Sequence, residues 1–152
     1  MAVTYRFEVR TESMLGVEEL FDRARSVDMH IESMSGSNET VLGLVENDLL
    51  GPDQVVTWRA RHFGVWWTMS SRITEMDSPH RFTDEQVKGP FKSFRHVHMF
   101  AGCDETTTMI DHVEFRAPFG FFGSITERAV LGRYLRRMIQ ARADTLARAD
   151  RG

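Results

Sequence analysis

A block of short β-type runs separated by turn signals occupies residues 39–117, and it constrains the fold more than any other feature. Runs of about ten residues joined by tight turns are typical of an antiparallel meander. The block predicts six strands, near residues 39–46, 54–63, 65–76, 80–88, 92–100 and 106–117. Turns are expected at residues 51–53, 63–64, 77–79, 88–90 and 101–102.

The segments on either side of this block complete the order of elements. Residues 3–11 alternate between apolar and polar side chains, which predicts a half-buried strand. Helical patterns follow after Ser13 and over residues 27–34. A long helix is expected over residues 124–149, about 39 Å in length at the rise of an α-helix. Its side chains at helical spacing form a stripe of Leu131, Leu135, Met138, Ile139, Arg142 and Leu146.

The predicted order is strand, two helices, six strands and a long helix. Strands that come as one block favour an α+β fold over a parallel α/β fold. The last helix is the obvious cover for the apolar face of the sheet. At 152 residues, the chain has a length typical of one domain, and residues 1–152 are interpreted as such.

Composition excludes several function classes. The formal net charge is −3, without the basic excess that nucleic-acid binders usually show, so nucleic acid is not an expected partner. The single cysteine, Cys103, sits in an expected turn and cannot form an internal disulfide. The apolar runs are far shorter than the roughly 20 residues of a membrane span. The first residues lack the apolar region of a signal peptide, so we expect a cytoplasmic protein.

Three stretches carry a resemblance to a known superfamily: VTWRARHFG at 56–64, PHRFTDEQ at 79–86 and GPFKSFRHVH at 89–98. With the order of elements, they resemble bacterial members of the START-like, or SRPBCC, superfamily, often labelled cyclase/dehydrase-like or cell-division-inhibitor-like. The resemblance covers nearly the whole chain. It implies a helix-grip fold, in which a curved antiparallel seven-stranded sheet wraps around a long C-terminal helix and leaves a cavity. The superfamily hosts carriers, receptors and enzymes, so function must be argued from the site.

Alternation along each strand predicts which side chains face the cavity. The inward residues are expected to include Val56, Ala60, Val65, Ser71, Ile73, Phe100, Met109 and Val113. With the helix stripe, the expected ligand-binding residues are Trp58, His62, Trp67, Met69, Phe82, Asp84, Gln86, Phe94, His96, His98, Asp111, Phe115, Met138 and Arg142. An apolar wall with a few polar groups is the usual chemistry of a small-molecule pocket. The sequence calls for no cofactor.

Asp84, His96 and His98 support three interpretations. A metal site is conceivable, but the spacing matches no recognised metal motif and no metal is assigned. A histidine–carboxylate pair could perform acid–base chemistry, as the cyclase and dehydratase resemblance implies, which makes these residues the catalytic candidates if the protein is an enzyme. A buried polar network that specifies the fold is the favoured interpretation.

Several other side chains also allow more than one interpretation. Arg142 is expected to extend past the sheet edge into solvent, in preference to holding an acidic ligand group. Phe119, Phe121 and Phe122 are expected to plug or gate the cavity mouth. Trp66 is expected to face outward, where it could mark an interface.

Three functions remain open from the sequence. The first is binding of a small apolar or amphipathic molecule, lipid- or polyketide-like, without chemistry. The second is a cyclase or dehydratase that uses Asp84 with His96 or His98. The third is a protein-interaction module, and a homodimer is possible in any of the three. A non-enzymatic binding protein is the favoured prediction.

Overall fold

The strands form one antiparallel sheet. The structure, a computed structural model, describes residues 4–43, 45–117 and 125–149. The strands in these residues are β1 (Thr4–Ser13), β2 (Thr40–Leu42), β3 (Val55–His62), β4 (Val65–Asp77), β5 (Arg81–Lys88), β6 (Ser93–Cys103) and β7 (Thr106–Arg116). They are ordered β1-β7-β6-β5-β4-β3-β2. The predicted seven-stranded sheet is confirmed.

Three α-helices cover the inner face of the sheet. They are α1 (Val17–Ala24), α2 (Val27–Ser33) and α3 (Ile125–Ala147), and a 3-10 turn over Ser35–Ser37 follows α2. The predicted stripe of α3 is buried at Leu131, Leu135, Ile139 and Leu146, and the helix packs against β1, α1 and α2. This arrangement is the α+β helix-grip fold. No described helix has the length and apolar character that crossing a membrane requires.

Aromatic side chains under α1 pack closely and fill one side of the interior. Phe21 of α1 is 1% exposed. Its ring meets the rings of Phe82 and Phe100 edge-on, with centroids 5.5 and 5.4 Å away. Edge-to-face pairs of this kind add to the free energy gained from burial alone.

The predicted faces of the strands are confirmed along most of their length. Val56, Ala60, Ile73, Phe82, Phe100, Met109, Val113 and Phe115 are all buried, as alternation requires. Two register shifts in β4, at Ser70/Ser71 and Ile73/Glu75, interrupt its pairing with β5. Bulges of this kind bend a strand and increase its twist.

Three details differ from the sequence-based expectations. Val65 is 43% exposed because it lies at the first position of β4, beside the turn, where the inner face has ended. The second strand covers only Thr40–Leu42 of the expected 39–46. The expected turn at 101–102 belongs to β6, and the chain reverses at Asp104 and Glu105. Asp104 adopts a positive φ of 55°, which aspartate tolerates better than most residues.

Candidate functional site

A cavity of about 180 Å³ lies between the inner face of the sheet and α3. Strands β3 to β6 provide one wall, and Leu131, Leu135, Met138 and Ile139 of α3 provide the opposite wall. Ten of the sequence-predicted ligand-binding residues line it together with Arg142: Trp58, His62, Trp67, Met69, Phe82, Asp84, Phe94, His96, His98 and Met138. Eleven of the fourteen predicted ligand-binding residues therefore lie on the wall.

The remaining three predicted residues, Gln86, Asp111 and Phe115, do not line the cavity. Gln86 faces inward but is engaged locally: its side-chain amide donates to the Phe91 carbonyl oxygen at 2.8 Å and accepts from the Phe91 amide at 3.2 Å. Phe115 is fully buried in the core. Asp111 is also fully buried and lies behind the histidines of the wall.

Five side chains on the wall and directly behind it form what we call the ionic cluster: Asp84, His96, His98, Asp111 and Arg142. The register places Asp84 opposite His96 and His98 opposite Asp111. The hydrogen bonds run diagonally between these pairs. His96 Nε2 lies 2.7 Å from Asp111 Oδ1, and His98 Nε2 lies 2.7 Å from Asp84 Oδ2. Diagonal neighbours on adjacent strands are within reach of long side chains.

Ring stacking fixes the two histidines in place. The imidazoles of His96 and His98 stack with centroids 3.7 Å apart. His98 also stacks on Phe82 at 4.1 Å. A continuous stack thus runs from the apolar interior to the ionic cluster and limits the rotation of both imidazoles.

The structure overturns the expectation that Arg142 extends into solvent. Arg142 is only 3% exposed. Its Nη2 donates to the carbonyl oxygen of Ala24 at 2.9 Å, and its Nη1 lies 3.8 Å from Asp111 Oδ1. Ala24 ends α1, where the last carbonyls lack intrahelical partners. The guanidinium is held inside because a helix terminus and a buried carboxylate both require a donor.

The two histidines of the cluster have opposite protonation preferences. Burial and the neighbouring charge of His98 lower the pKa of His96 against the opposing pull of Asp111. Burial also acts to lower the pKa of His98, but the nearby carboxylates of Asp111 and Asp84 outweigh it and raise that pKa. The geometry therefore favours an imidazolium at His98 and a neutral imidazole at His96.

Both carboxylates of the cluster are held in the ionised form. Burial acts to raise the pKa of Asp84, but the hydrogen bond from His98 and the surrounding positive charges lower it overall. The pKa of Asp111 lies far below its usual range because the bonds with His96 and His98 outweigh its burial. Two carboxylates then balance His98 and Arg142, so the cluster is close to neutral as a whole.

The cluster is not fully satisfied by hydrogen bonds among the described residues. His98 Nδ1, Asp111 Oδ2 and Arg142 Nη1 are buried without such a partner. His98 Nδ1 lies 3.3 Å from Asp111 Oδ1, a close ionic contact and not a hydrogen bond. Incomplete satisfaction is unusual for a purely structural network, because each orphaned buried group costs about 1–3 kcal/mol.

A metal ion fits this cluster poorly. Asp84, His96 and His98 each offer a ligand atom, and these atoms lie within 4.8 Å of one another. However, both Nε2 atoms already bond to carboxylates at 2.7 Å. The buried guanidinium of Arg142 also adds a positive charge that a metal would have to tolerate. We therefore assign the cluster no metal.

A second polar group on the wall joins the predicted His62 to residues that sequence reasoning missed: Tyr134, His30 and Glu39. His62 Nδ1 lies 2.6 Å from the Tyr134 hydroxyl, and we call these two residues the His–Tyr pair. Nearby, His30 Nε2 lies 2.7 Å from Glu39 Oε1, and the His30 ring stacks on Trp58 at 4.0 Å. The position of Tyr134, three residues after Leu131 and four before Met138, was a signal that it belongs to the inner stripe of α3.

Other side chains singled out from the sequence contribute less. Trp66 faces outward as predicted and is 46% exposed. The Arg59 guanidinium lies over its ring, 4.7 Å from the centroid, so part of the ring is already engaged within the chain. Phe119, Phe121 and Phe122 lie outside the described residues.

Comparison with known proteins supports the fold. No family model matches the chain, and no curated protein matches it. Solved structures do match: TTHA0849 from Thermus thermophilus has a TM-score of 0.78 at 13% identity, with 94% of each chain covered. The Zhui aromatase/cyclase from a Streptomyces species has a TM-score of 0.75 at 14% identity, covering 95% of this chain and 92% of that one. A major latex-like protein from Panax ginseng has a TM-score of 0.60 at 16% identity, covering 91% and 96%.

These similarities establish the three-dimensional arrangement. The chain has the SRPBCC, or START-like, fold that its sequence resembles. At identities of 13–16% the similarity shows the fold alone, since one fold supports many activities.

Proposed function

We propose that this protein binds a small apolar or amphipathic molecule in the cavity between the sheet and α3. The observation that carries the proposal is the wall itself: aromatic and aliphatic side chains surround the space, and polar groups are placed among them, chiefly at the ionic cluster, at the His–Tyr pair and at His30 with Glu39. Binding pockets for small molecules combine apolar area with a few placed polar groups in this way.

The dimensions favour a ligand built on one or two rings. The cavity holds about 180 Å³, slightly more than the roughly 150 Å³ of an engineered apolar cavity that admits benzene. Trp58, Trp67 and Phe94 provide flat aromatic surface for such a ligand. A ring that packs against an aromatic side chain gains a favourable free energy in addition to that from burying its apolar surface. A ring compound of the polyketide kind therefore suits the space better than a long lipid chain.

Native mass spectrometry of the protein purified from its source, followed by denaturing extraction, tests the proposal. A retained small molecule that is released on denaturation is expected. The matched variants are Ala60→Phe, which places a ring in the cavity wall, and Ala129→Phe, which places it on the exposed side of α3. Retention should be lost only in Ala60→Phe, with thermal unfolding confirming that both variants fold. Retention by Ala60→Phe equal to wild type would contradict binding in this cavity.

A second function, acid–base catalysis, is favoured by the opposite protonation preferences in the ionic cluster. Neighbouring groups whose pKa values are driven apart are the usual origin of an acid and a base in one site. The neutral His96 would remove a proton next to a carbonyl group. The imidazolium of His98 would supply a proton to the departing hydroxyl through the carboxylate of Asp84, which its Nε2 contacts at 2.7 Å. Water then leaves and a carbon–carbon double bond forms. An aromatase/cyclase among the matching structures agrees with this class of reaction.

A β-hydroxy ketone of suitable size, 4-hydroxy-4-phenylbutan-2-one, tests this second function. Loss of water gives a conjugated enone that is followed by its absorbance. Replacement of the base in His96→Gln should lower the rate by about 10²–10⁴-fold, the usual contribution of a positioned proton-transfer group. The control His112→Gln changes a histidine on the outer face of β7. Equal rates for the two variants would eliminate His96 as the base.

A further inference from the structure

The His–Tyr pair stands at a distance from the ionic cluster, at another part of the same wall. Tyr134 and Arg142 lie eight residues apart on α3, which separates them by about 12 Å along the helix axis. Leu135, Met138 and Ile139 fill the interval, and all three line the cavity. A ligand that spans this interval meets apolar surface along its body and a polar group at each end.

The hydrogen-bonding capacity of the pair does not depend on which atom carries the shared proton. If the Tyr134 hydroxyl donates to Nδ1, the Nε2–H group of His62 remains a donor and the phenolic oxygen remains an acceptor. If Nδ1–H donates instead, the hydroxyl hydrogen remains the donor and Nε2 becomes the acceptor. In both cases the pair offers one donor and one acceptor, and no further hydrogen bond uses either side chain among the described residues.

The electrostatic surroundings of the pair favour an uncharged partner. Burial lowers the pKa of His62 against the opposing charge of Glu39, so the imidazole is neutral at pH 7. Burial raises the pKa of Tyr134, which keeps the phenol protonated. Glu39 is 8% exposed, and its influence on His62 places a negative charge close to the pair. An anionic ligand group would meet repulsion there, whereas a neutral group would not.

We propose that the His–Tyr pair is a hydroxyl-selective subsite, which binds an uncharged phenolic or alcoholic hydroxyl carried by an otherwise apolar ring ligand. A hydroxyl is the smallest neutral group that both donates and accepts, so it matches the free donor and acceptor of the pair. A hydrocarbon of the same shape would displace water from both protein atoms without replacing its hydrogen bonds, which lowers affinity. This inference rests on the proposed ligand-binding function and adds the chemical class of the ligand.

Two probes of matched shape test the subsite: 4-methylphenol and 1,4-dimethylbenzene, titrated into the ¹⁵N-labelled protein and followed by NMR. We expect the wild type to bind the phenol about five- to thirtyfold more tightly, the value of one to two net hydrogen bonds. In the double variant His62→Phe/Tyr134→Phe the preference for the phenol should disappear or reverse, because its hydroxyl then finds no partner. The control is Tyr5→Phe, the same chemical change at the chain's other tyrosine, which does not line the cavity and should keep the wild-type preference.

The outcomes separate this inference from the proposed function. If both probes bind the wild type equally, the hydroxyl-selective subsite is wrong while ligand binding stands. If the double variant keeps the preference for the phenol, another group binds the hydroxyl and the inference is again wrong. If neither probe binds at all, the proposed function fails and the subsite with it.

A measurement on the wild type keeps the inference testable if the double variant does not fold. Intermolecular nuclear Overhauser effects should connect the ring protons next to the hydroxyl of 4-methylphenol with the Tyr134 and His62 rings. Contacts from those protons to Phe82 and His98 alone would place the hydroxyl at the ionic cluster and overturn the assignment.

Discussion

His62 of the His–Tyr pair and His98 of the ionic cluster have pKa values shifted in opposite directions, and the comparison shows what controls a buried imidazole. His62 in the His–Tyr pair has a lowered pKa because burial dominates and its hydrogen-bond partner is a neutral phenol. His98 is more deeply buried, yet its pKa is raised, because two carboxylates lie 2.7 and 3.3 Å from its ring nitrogens. Burial lowers the pKa of a histidine by default. Two carboxylate partners reverse the shift at His98, whereas the single hydrogen bond with Asp111 does not reverse it at His96.

The difference extends to what each site can offer a ligand. The ionic cluster has its charges balanced internally, so a ligand there competes with existing ionic contacts. The His–Tyr pair is neutral and retains a free donor and acceptor. The cluster is therefore suited to holding the fold and placing protons, and the pair is suited to recognition.

The largest effect is expected from removing the carboxylate that joins the cluster. Asp111→Ala leaves the two buried cations His98 and Arg142 with only Asp84 to compensate them, and breaking a buried ionic group in this way costs about 3–5 kcal/mol. Urea denaturation measures the loss. The control is Glu114→Ala on the outer face of β7, whose exposed ion pair with Arg6 should contribute about 0–1 kcal/mol. Similar losses in the two variants would mean that the cluster does not stabilise the fold.

Much of this site could be predicted from alternation along the strands. A period of two places Asp84, His96, His98 and Asp111 on one face, and antiparallel pairing of neighbouring strands brings them together. The apolar wall follows from the same rule. The order of elements, in turn, was enough to predict the sheet and its covering helix.

The rest of the site depends on contacts that no local pattern records. Glu39 and His30 reach the cavity only because the segment around α2 folds back over β3, which is a tertiary event. Arg142 turns inward because α1 ends at Ala24, whose carbonyl oxygen has no intrahelical partner and accepts a hydrogen bond from the guanidinium. Gln86 lies on the predicted inner face, but its side-chain amide is hydrogen-bonded to the backbone of Phe91 in the adjacent turn and does not line the cavity.

A change of pH is expected to have an intermediate effect on the free energy of unfolding, and it tests the contrast between the two sites. The folded-state pKa of His98 is raised above 6.5, so its contribution to stability is full below that value and is lost as pH rises through the raised pKa. His62 and His96 have lowered pKa values, so their contributions are present above 6.5 and are lost as pH falls through the lowered values.

Histidine NMR titration of the folded protein measures this contrast directly. The His98 ring should titrate above pH 6.5, and the rings of His62 and His96 below it. His98→Gln, compared with wild type by urea denaturation across the same range, should lose the fall in stability on the alkaline side. Titration of all three rings on the same side of 6.5 would contradict the comparison.

The smallest effect on stability is expected at the His–Tyr pair. Tyr134→Phe removes one hydrogen bond at a half-buried position, which is worth about 0.5–1.5 kcal/mol and is partly replaced by water. Burial, the main cause of the lowered pKa of His62, persists in the variant, so His62 should still titrate below pH 6.5. Urea denaturation and NMR titration together check both statements. If His62 shifted above 6.5, the phenol rather than burial would control its charge. Burial would then not explain the charge state of His62, and the contrast drawn between the His–Tyr pair and the ionic cluster would be wrong.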